Sequence, residues 1–409
     1  MNSFSSLSRS YATQAASFWP ATLALGLGSF VVFANLYITQ PMLPFLVQHF
    51  AISPLMAGQT FTITTATLAM SLLVFGPLSE VVGRRPLMLS ATAGAVVCTG
   101  LLSWADSFSS MLVLRAAQGF FLAGLPAIAL AYMREEFEAS AFRIAVGVYI
   151  SANSLGGIGG RLLGGFFIEH FSLSQSFALL AGLSIVLLLP VFIILPQSRG
   201  FQQQSWSSLR PRKVAQDIYS HLSNPVLLLA YMIGGLNFFI FVNQFSYATF
   251  RLAAAPYELS PSILGMLFLT YLSGTVGAAL GGRWLRRWSA PQIMRLGVIL
   301  LMLGSLVTLS DALPWIIVGF LINALGFFLA HANASGWVSR HAEHTPATAS
   351  SVYLVCYYLG ASSGGYYLDP FWNLAGWPGV VWASIVVLII NLFMTLRLRR
   401  YERKMADCR

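Results

Sequence analysis

The sequence predicts an all-α membrane protein in which twelve transmembrane helices form two pseudo-symmetric six-helix bundles. Of its 409 residues, 57% are hydrophobic and only 9% are charged, whereas a soluble domain carries about 25% charged residues. Because so few charges cannot cover a solvated surface, we expect lipid to face the apolar side chains. The length of the apolar runs and a repeat between the two halves of the chain support the same prediction.

The apolar runs are long enough to cross a bilayer, which takes about 20 helical residues. We number the predicted transmembrane helices as spans 1 to 12. They are expected at residues 18–43, 55–78, 86–104, 108–132, 142–170, 174–196, 224–250, 261–283, 291–310, 313–339, 346–368 and 376–396. The turns near Asp106 and Asp311 are the shortest connections, and the count would fall to eleven or ten if they failed to form.

Polar segments divide these spans into two groups of six. We expect a cytoplasmic N-terminal tail (1–17), an N-terminal bundle (18–196), a cytoplasmic linker (197–223), a C-terminal bundle (224–396) and a cytoplasmic tail (397–409). The first tail is rich in serine and lacks the short apolar core and cleavage site of a signal peptide.

The distribution of basic residues predicts the orientation. If the N-terminus is inside, all of the 23 Lys and Arg residues except Arg115, Arg161 and Arg251 fall in the segments on the cytoplasmic side. This is where the positive-inside rule places them. The net charge of +10 therefore indicates a topology with both ends cytoplasmic, and it does not indicate a nucleic-acid partner.

A repeat relates the two bundles. Segments match at offsets of 207, 207 and 204 residues: Ser53-Pro54 with Ser260-Pro261, Gly119–Ala123 with Gly326–Ala330, and Gly156 and Gly160 with Gly360 and Gly364. Two similar bundles can rock about a site between them and expose it first to one side and then to the other. The repeat therefore predicts a transporter.

The loop between spans 2 and 3 resembles the signature loop of the major facilitator superfamily. It contains Gly76, Glu80, Gly83, Arg84 and Arg85, and Glu80 stands where the family usually has Asp. The resemblance implies the superfamily's fold and a gating latch, in which this acid lies beside the two arginines and faces the positive end of span 11. That end is expected at Thr345-Pro346, and Gly76 is expected to allow close helix packing. The alternative is a basic loop that only sets topology.

Span 4 contains Arg115, Gln118 and Gly119, which resemble the second motif of the superfamily. The resemblance implies a part in proton coupling. A charged residue within a span is also costly enough to indicate function by itself. The alternative is that Arg115 snorkels to the outer surface.

Span 5 resembles the antiporter signature of drug-exporting facilitators. Its packing motif consists of Gly147, Gly156, Gly160, Arg161, Gly164 and Gly165. Glycines let helices pack backbone to backbone and seal one side of a transporter. Arg161 departs from the Pro that is usual at this position, and with this residue the motif is more similar to the YnfM-type branch of the superfamily.

Polar residues inside spans predict a substrate cavity, because polar groups that face lipid are costly. The candidates are Asn35, Tyr37, Gln40, Gln118, Asn153, Asn237, Asn243, Gln244, Tyr271, Asn323, His331 and Tyr357. About half of them are expected to be structural. Two roles stay open for His331: a group that titrates near neutral pH, or a histidine that only packs between helices. No Asp or Glu falls near the middle of a span, and Arg115 and Arg161 lie at similar depth. An anionic or strongly polar solute is therefore expected if both arginines point inward.

These features predict a secondary active transporter that moves a small organic solute across the cytoplasmic (inner) membrane by alternating access. We expect a multi-pass monomer that performs proton-coupled efflux, with the solute, protons and the lipid bilayer as its partners. Two alternatives stay open: proton-coupled uptake (symport) of a small polar or anionic nutrient, and a membrane sensor that transports nothing. No enzyme, cofactor or metal site is expected, because catalytic groupings, nucleotide-binding loops and metal-ligand spacings are missing from the sequence.

Overall fold

The computed structural model describes residues 2–206, 211–342 and 346–407. The regular structure in these residues is helical. The helices are Asn2–Tyr37, Leu43–Phe50, Pro54–Val82, Arg84–Leu102, Phe108–Leu122, Gly124–Glu136, Ala139–His170, Leu173–Ile194, Pro211–Ser223, Pro225–Ala253, Pro261–Met266, Leu272–Trp284, Ala290–Val307, Leu313–His341 and Pro346–Asp407, with a 3-10 segment at Leu267–Tyr271.

Within the described residues, eleven helical stretches are long and apolar enough to cross a membrane. The last of them, Thr348–Lys404, has 57 residues, which would measure about 85 Å as one straight helix. It is folded instead at Gly376, whose φ of 61° and ψ of −142° are not helical. Ala349 and Leu398 consequently share one hydrophobic cluster, so this stretch crosses twice. The prediction of an all-α fold with twelve spans is confirmed.

Local sequence signals explain where the spans begin. The Ser53 side chain accepts a hydrogen bond from the amide of Met56, and Pro54 opens span 2. Ser107 and Ser172 start spans 4 and 6 with capping boxes, which satisfy amide groups that would otherwise lack partners. The turn near Asp106, one of the two shortest connections, therefore forms.

Two spans are shorter or more broken than the apolar runs suggest. Span 1 ends at Tyr37 and not at residue 43, and a turn leads into the short helix Leu43–Phe50. Pro41 and Pro44 cause this change, since proline disfavours a continuing helix. Span 4 is interrupted at Ala123, because Pro126 has no amide hydrogen to donate to the carbonyl of Leu122.

The internal repeat has a structural counterpart in helix packing. A Cβ atom added to Gly156 would lie 2.6 Å from the carbonyl oxygen of Phe30, and one added to Gly160 would strike the backbone of Ala34. The second half repeats this contact between spans 11 and 7, where Gly360 lies on the backbone of Gly235 and Gly364 lies on that of Phe239. Each half therefore joins its first and fifth spans backbone to backbone.

The two halves are in contact at their outer ends, where "outer" denotes the side predicted to face away from the cytoplasm. Gln40 donates to the Ser246 hydroxyl at 3.1 Å, and Gly165 packs on the backbone of Pro261. At the inner ends, Cβ atoms added to Gly76 or Gly147 would meet nothing within 4 Å. Because the contacts between the halves lie at the outer ends, we interpret this arrangement as inward-facing.

Candidate substrate site and gates

Arg161 lies at the interface between the halves and is only 1% exposed. Its Nε donates to Gln40 Oε1 at 2.7 Å, and its Nη1 donates to the Gly157 carbonyl at 2.9 Å. The guanidinium carbon lies 3.8 Å from the ring centroid of Tyr37 in the first half. It also lies 4.6 Å from the ring of Phe268 and 4.7 Å from that of Tyr271, both in the second half. We call these three rings and Arg161 the arginine cage.

The arginine cage holds a cation without a neighbouring acid. Within the described residues, the ion pairs join only Arg84 to Glu135 and Arg251 to Asp311. The Tyr271 hydroxyl is also buried there without a hydrogen-bond partner among the described groups. Of the sequence candidates, the structure thus brings together Arg161, Gln40, Tyr37 and Tyr271. Phe268 could not be recognised, because it is one of 30 phenylalanines in an apolar chain.

A ladder of stacked rings from spans 7, 10 and 11 forms the second half's contribution to the centre. Phe238 and Tyr357 stack at 3.9 Å, and Tyr357 lies 4.5 Å from the His331 ring. The Tyr353 hydroxyl is 2.9 Å from His331 Nδ1, so His331 belongs to a polar pair as well as to the stack. His331 and Tyr357 therefore lie together in this group of rings, and their role in a substrate cavity stays a prediction.

Four of the predicted cavity residues instead bond inside one half. Asn35 and Gln118 are fully buried and share Thr99, whose hydroxyl donates to Asn35 Oδ1 at 2.6 Å and accepts from Gln118 Nε2 at 2.7 Å. In the second half, Gln244 Oε1 accepts from Ser305 and from Asn323, each at 3.0 Å. In this conformation these amides hold spans of the same half together, while Gln244 Nε2 and Asn323 Oδ1 are buried without a partner among the described groups, and their place in a substrate cavity stays a prediction.

The remaining asparagines also join neighbouring spans. Asn243 donates to the Ala361 carbonyl in span 11 at 2.9 Å. Asn237 accepts from Asn391 in span 12 at 3.0 Å, and Asn153 accepts a short hydrogen bond from the hydroxyl of Ser29 in span 1. These contacts lie within one half, although Asn243 also lines a small cavity between the halves together with Thr62 and Ser246. A substrate contact by any of the three asparagines stays a prediction. A lone amide within an apolar run looks the same in sequence whichever way it faces.

Arg115 neither snorkels nor faces the centre. Its Nε donates to the Thr60 carbonyl at 3.0 Å, its Nη1 to that of Asn35 at 2.9 Å and its Nη2 to that of Leu36 at 2.9 Å. The last two carbonyls belong to the final turn of span 1, where C=O groups lack partners within the helix. Arg115 therefore caps span 1, and a second hydrogen bond joins its Nη1 to Gln118.

Comparison with known proteins identifies the family. The sequence model of the Major Facilitator Superfamily matches residues 25–365. The chain belongs to this superfamily. It is 35% identical to the uncharacterized MFS-type transporter YybF of Bacillus subtilis (strain 168) over 389 residues, 95% of both chains. It is 36% identical to the inner membrane transport protein YnfM of Escherichia coli (strain K12) over 383 residues, 94% of this chain and 91% of that one.

Solved structures of other facilitators have the same fold. A variant of the peptide transporter POT superposes with a TM-score of 0.75 at 14% identity and covers 93% of this chain and 95% of its own. A bacterial homologue of the human lysosomal transporter Spinster, inward-facing and unoccupied, has a TM-score of 0.71 at 13% identity, with 95% and 97% covered. Membership of the superfamily makes the chain a multi-pass secondary transporter and not an enzyme.

The signature loop of this facilitator makes a different ion pair from the one that its sequence suggests. Arg84 pairs with Glu135 at the inner end of span 4, at 2.8 Å. Arg85 donates to the Leu195 and Phe192 carbonyls at 2.6 and 2.8 Å, where span 6 ends. The side chain of Glu80 has no ion pair or hydrogen bond within the described residues, and Thr345 lies outside them. The gating role of Glu80 with Arg84 and Arg85 stays a prediction.

Two acids that sequence reasoning missed organise the inner surface of the first half. Glu135 and Glu136 end the helix of span 4, where the helix dipole disfavours carboxylates. Glu136 accepts from the Ser198 hydroxyl at 2.9 Å and from the Arg199 and Gly200 amides at 2.6 and 2.9 Å. The unfavourable position of two acids at a helix C-terminus was the available signal that both needed partners.

The span 5 glycines act at two different places. Gly156 and Gly160 pack on the backbone of span 1 and Gly164 packs on Ile38 in the turn that follows it, whereas Gly165 packs on Pro261 across the interface. Gly147 faces open space, so its expected close packing is absent from this inward-facing arrangement. Gly119 packs against the backbone of Thr64 in span 2.

Glu169 closes the outer side by capping span 8 from the other half. The Ser262 amide donates to Glu169 Oε2 at 2.8 Å. An exposed carboxylate at a helix N-terminus contributes about 0.3–1 kcal/mol. A Glu169→Ala variant should therefore raise the outward-open population roughly two- to fivefold.

The reporter is a Ser246→Cys substitution in a protein from which the native cysteines have been removed. The measurement is the rate at which a membrane-impermeant maleimide, added from outside, alkylates this cysteine. An Asp106→Ala variant removes an exposed acid of an outer turn and should leave the rate unchanged. Equal rates for Glu169→Ala and the parent would show that this contact does not hold the outer gate.

Proposed function

We propose that this facilitator exports a small organic solute across the cytoplasmic membrane in exchange for protons, by alternating access. The observation that carries the proposal is the asymmetric use of the span 5 glycines. Gly165 seals the outer interface against Pro261, while Gly147 at the inner end has no neighbour within 4 Å. In this arrangement the solute would enter from the cytoplasm.

The inner gate is proposed to close through surfaces that are free here. Gly76 and Gly147 offer faces without side chains at the inner ends of spans 2 and 5, which is what close helix packing requires. Glu80 has an unused carboxylate beside the same opening. Its attraction to the positive end of span 11 would hold the inner side closed once the outer side opens.

A coupling role for Arg115 would be indirect. Its guanidinium is occupied by backbone carbonyls of spans 1 and 2, so it has no free face for a proton carrier. Arg115 fixes the end of span 1, and Gln40 follows that end and holds Arg161. We propose that this is the route by which Arg115 contributes, together with Gln118 and Gly119, which hold span 4 in place.

The test is a growth screen of a strain that overproduces the protein, using dyes, drugs, sugars and organic acids. Export predicts higher tolerance of at least one compound, and the tolerance should vanish when an uncoupler collapses the proton gradient. No change for any compound, or tolerance that survives full uncoupling, would contradict the proposal.

Proton-coupled uptake of an anionic nutrient is the competing function. It is favoured by Arg161, which occupies the position where exporting relatives usually have Pro. Uptake predicts that overproduction increases sensitivity to a toxic substrate. Counterflow in vesicles with the pH gradient inverted separates the two, because export and uptake respond to the inversion with opposite signs.

A further inference from the structure

We infer that Arg161 binds the anionic group of the transported solute, and that this solute is a small organic acid with a flat, ring-sized apolar body. The inference rests on the proposed transport function and adds the substrate class to it. It depends on three features of the site: an unpaired buried cation, an unpartnered hydroxyl beside it, and a wall of stacked rings.

The first feature is the charge of Arg161. A buried guanidinium without an acid is strongly disfavoured. Arg161 donates through Nε and Nη1 and also has the Tyr37 side chain as a hydrogen-bonding neighbour, and all of these partners are neutral. Arg115 is equally buried but donates to backbone carbonyls through all three nitrogens. Arg161 is therefore the less fully bonded of the two arginines, and the rings of the arginine cage offer faces but no counter-charge.

The second feature is the Tyr271 hydroxyl, which lacks a partner although the residue is only 8% exposed. Its ring lies 4.7 Å from the Arg161 guanidinium. A hydroxyl of this kind can donate to an anion, and Arg161 and Tyr271 belong to opposite halves of the transporter. An anion bound by both would link the halves at the point about which they rock.

The third feature is the composition of the rest of the centre. The stack of Phe238, Tyr357 and His331 offers ring faces and few hydrogen bonds. The amides of Gln118 and Asn323 are bonded inside their own halves, although Asn237 Nδ2, Gln244 Nε2 and Asn323 Oδ1 are buried without a partner among the described groups. A flat apolar body would pack against the rings.

The test compares benzoate with its neutral and cationic relatives, benzamide and benzylamine, by calorimetric binding to the purified full-length protein. The parent should bind benzoate at least tenfold more tightly than either relative. Arg161→Gln should lower benzoate affinity at least tenfold, because hydrogen bonds to a charged group are strong. Arg161→Lys keeps the charge but loses the planar guanidinium. Its benzoate affinity should lie between that of the parent and that of Arg161→Gln.

Tyr271→Phe removes only the unpartnered hydroxyl and should lower benzoate affinity about threefold to tenfold. Tyr231→Phe is the matched control, because its hydroxyl is also buried without a partner but its ring packs in the separate cluster with Trp337 and Leu398. This control should bind like the parent. Thermal unfolding of each variant shows whether the fold is intact.

The inference is overturned if benzoate does not bind the parent, if benzylamine binds as tightly, or if folded Arg161→Gln keeps its benzoate affinity. None of these results touches the proposed export, which the growth screen tests without any assumption about charge. Conversely, loss of proton-dependent tolerance for every compound would contradict export while leaving the binding result intact. Binding is measured because benzoic acid crosses membranes without a carrier.

Discussion

An Arg115→Met variant is expected to lose the native fold. Arg115 is fully buried and bonds to the carbonyls of Thr60, Asn35 and Leu36. Methionine fills similar space but donates nothing, and each buried carbonyl left without a partner costs about 1–3 kcal/mol. The Thr60 carbonyl keeps the Thr64 hydroxyl as a partner, but the two carbonyls of Asn35 and Leu36 alone amount to a sizeable part of a total stability of about 5–15 kcal/mol. The expected readout is a collapse of the monodisperse peak in size-exclusion chromatography after extraction into detergent.

Arg251→Met is the matched control for this experiment. Arg251 also donates to helix-end carbonyls, those of Thr308 and Ser310, but its side chain is 12% exposed at the outer end of span 7. Water can replace its hydrogen bonds, so this variant should remain monodisperse with a modest loss of thermal stability. An Arg115→Met protein as stable as the parent would show that Arg115 is not a structural cap.

The contrast between the two central arginines shows what the sequence reveals and what it does not. Arg115 and Arg161 are both charges inside spans at similar depth, so the same argument predicts function for both. Their surroundings differ because span 1 ends at Tyr37, which exposes carbonyls to Arg115 and turns Gln40 toward Arg161. Pro41 and Pro44 are visible in the sequence, but the direction of the turn that they cause depends on packing against spans 4 and 5.

The fold itself is largely predictable, because hydrophobic length and basic residues act through the bilayer and need no tertiary information. The site is harder to predict from the sequence, because the sequence does not show toward which neighbour an amide inside an apolar helix points. Asn35 and Gln40 differ by five positions, yet one bonds to Thr99 inside its half and the other reaches Ser246 across the interface. The partner of Arg84 was missed for a related reason: Glu135 lies 51 residues away in the chain, whereas Glu80 lies next to the loop.

Replacing Gly147 with leucine is expected to abolish transport while the protein stays fully folded. A Cβ at this position meets nothing within 4 Å in the inward-facing arrangement, so thermal stability should change by no more than about 0.5 kcal/mol. If the inner ends close around Gly147 during the cycle, the leucine side chain prevents the helices from approaching. The expected result is at least a tenfold fall in proton-dependent transport, measured as lost tolerance in the growth screen at equal protein levels.

Two other glycines supply the controls that give this result its meaning. Gly182 in span 6 also has open space around its Cα, so Gly182→Leu should fold and transport like the parent. Gly160→Leu should fail earlier, because its side chain would strike the backbone of Ala34 and such overpacking costs about 1–3 kcal/mol or more. Normal transport by Gly147→Leu would mean that the inner ends do not close at this glycine. Gly147 would then have no part in closing the inner side.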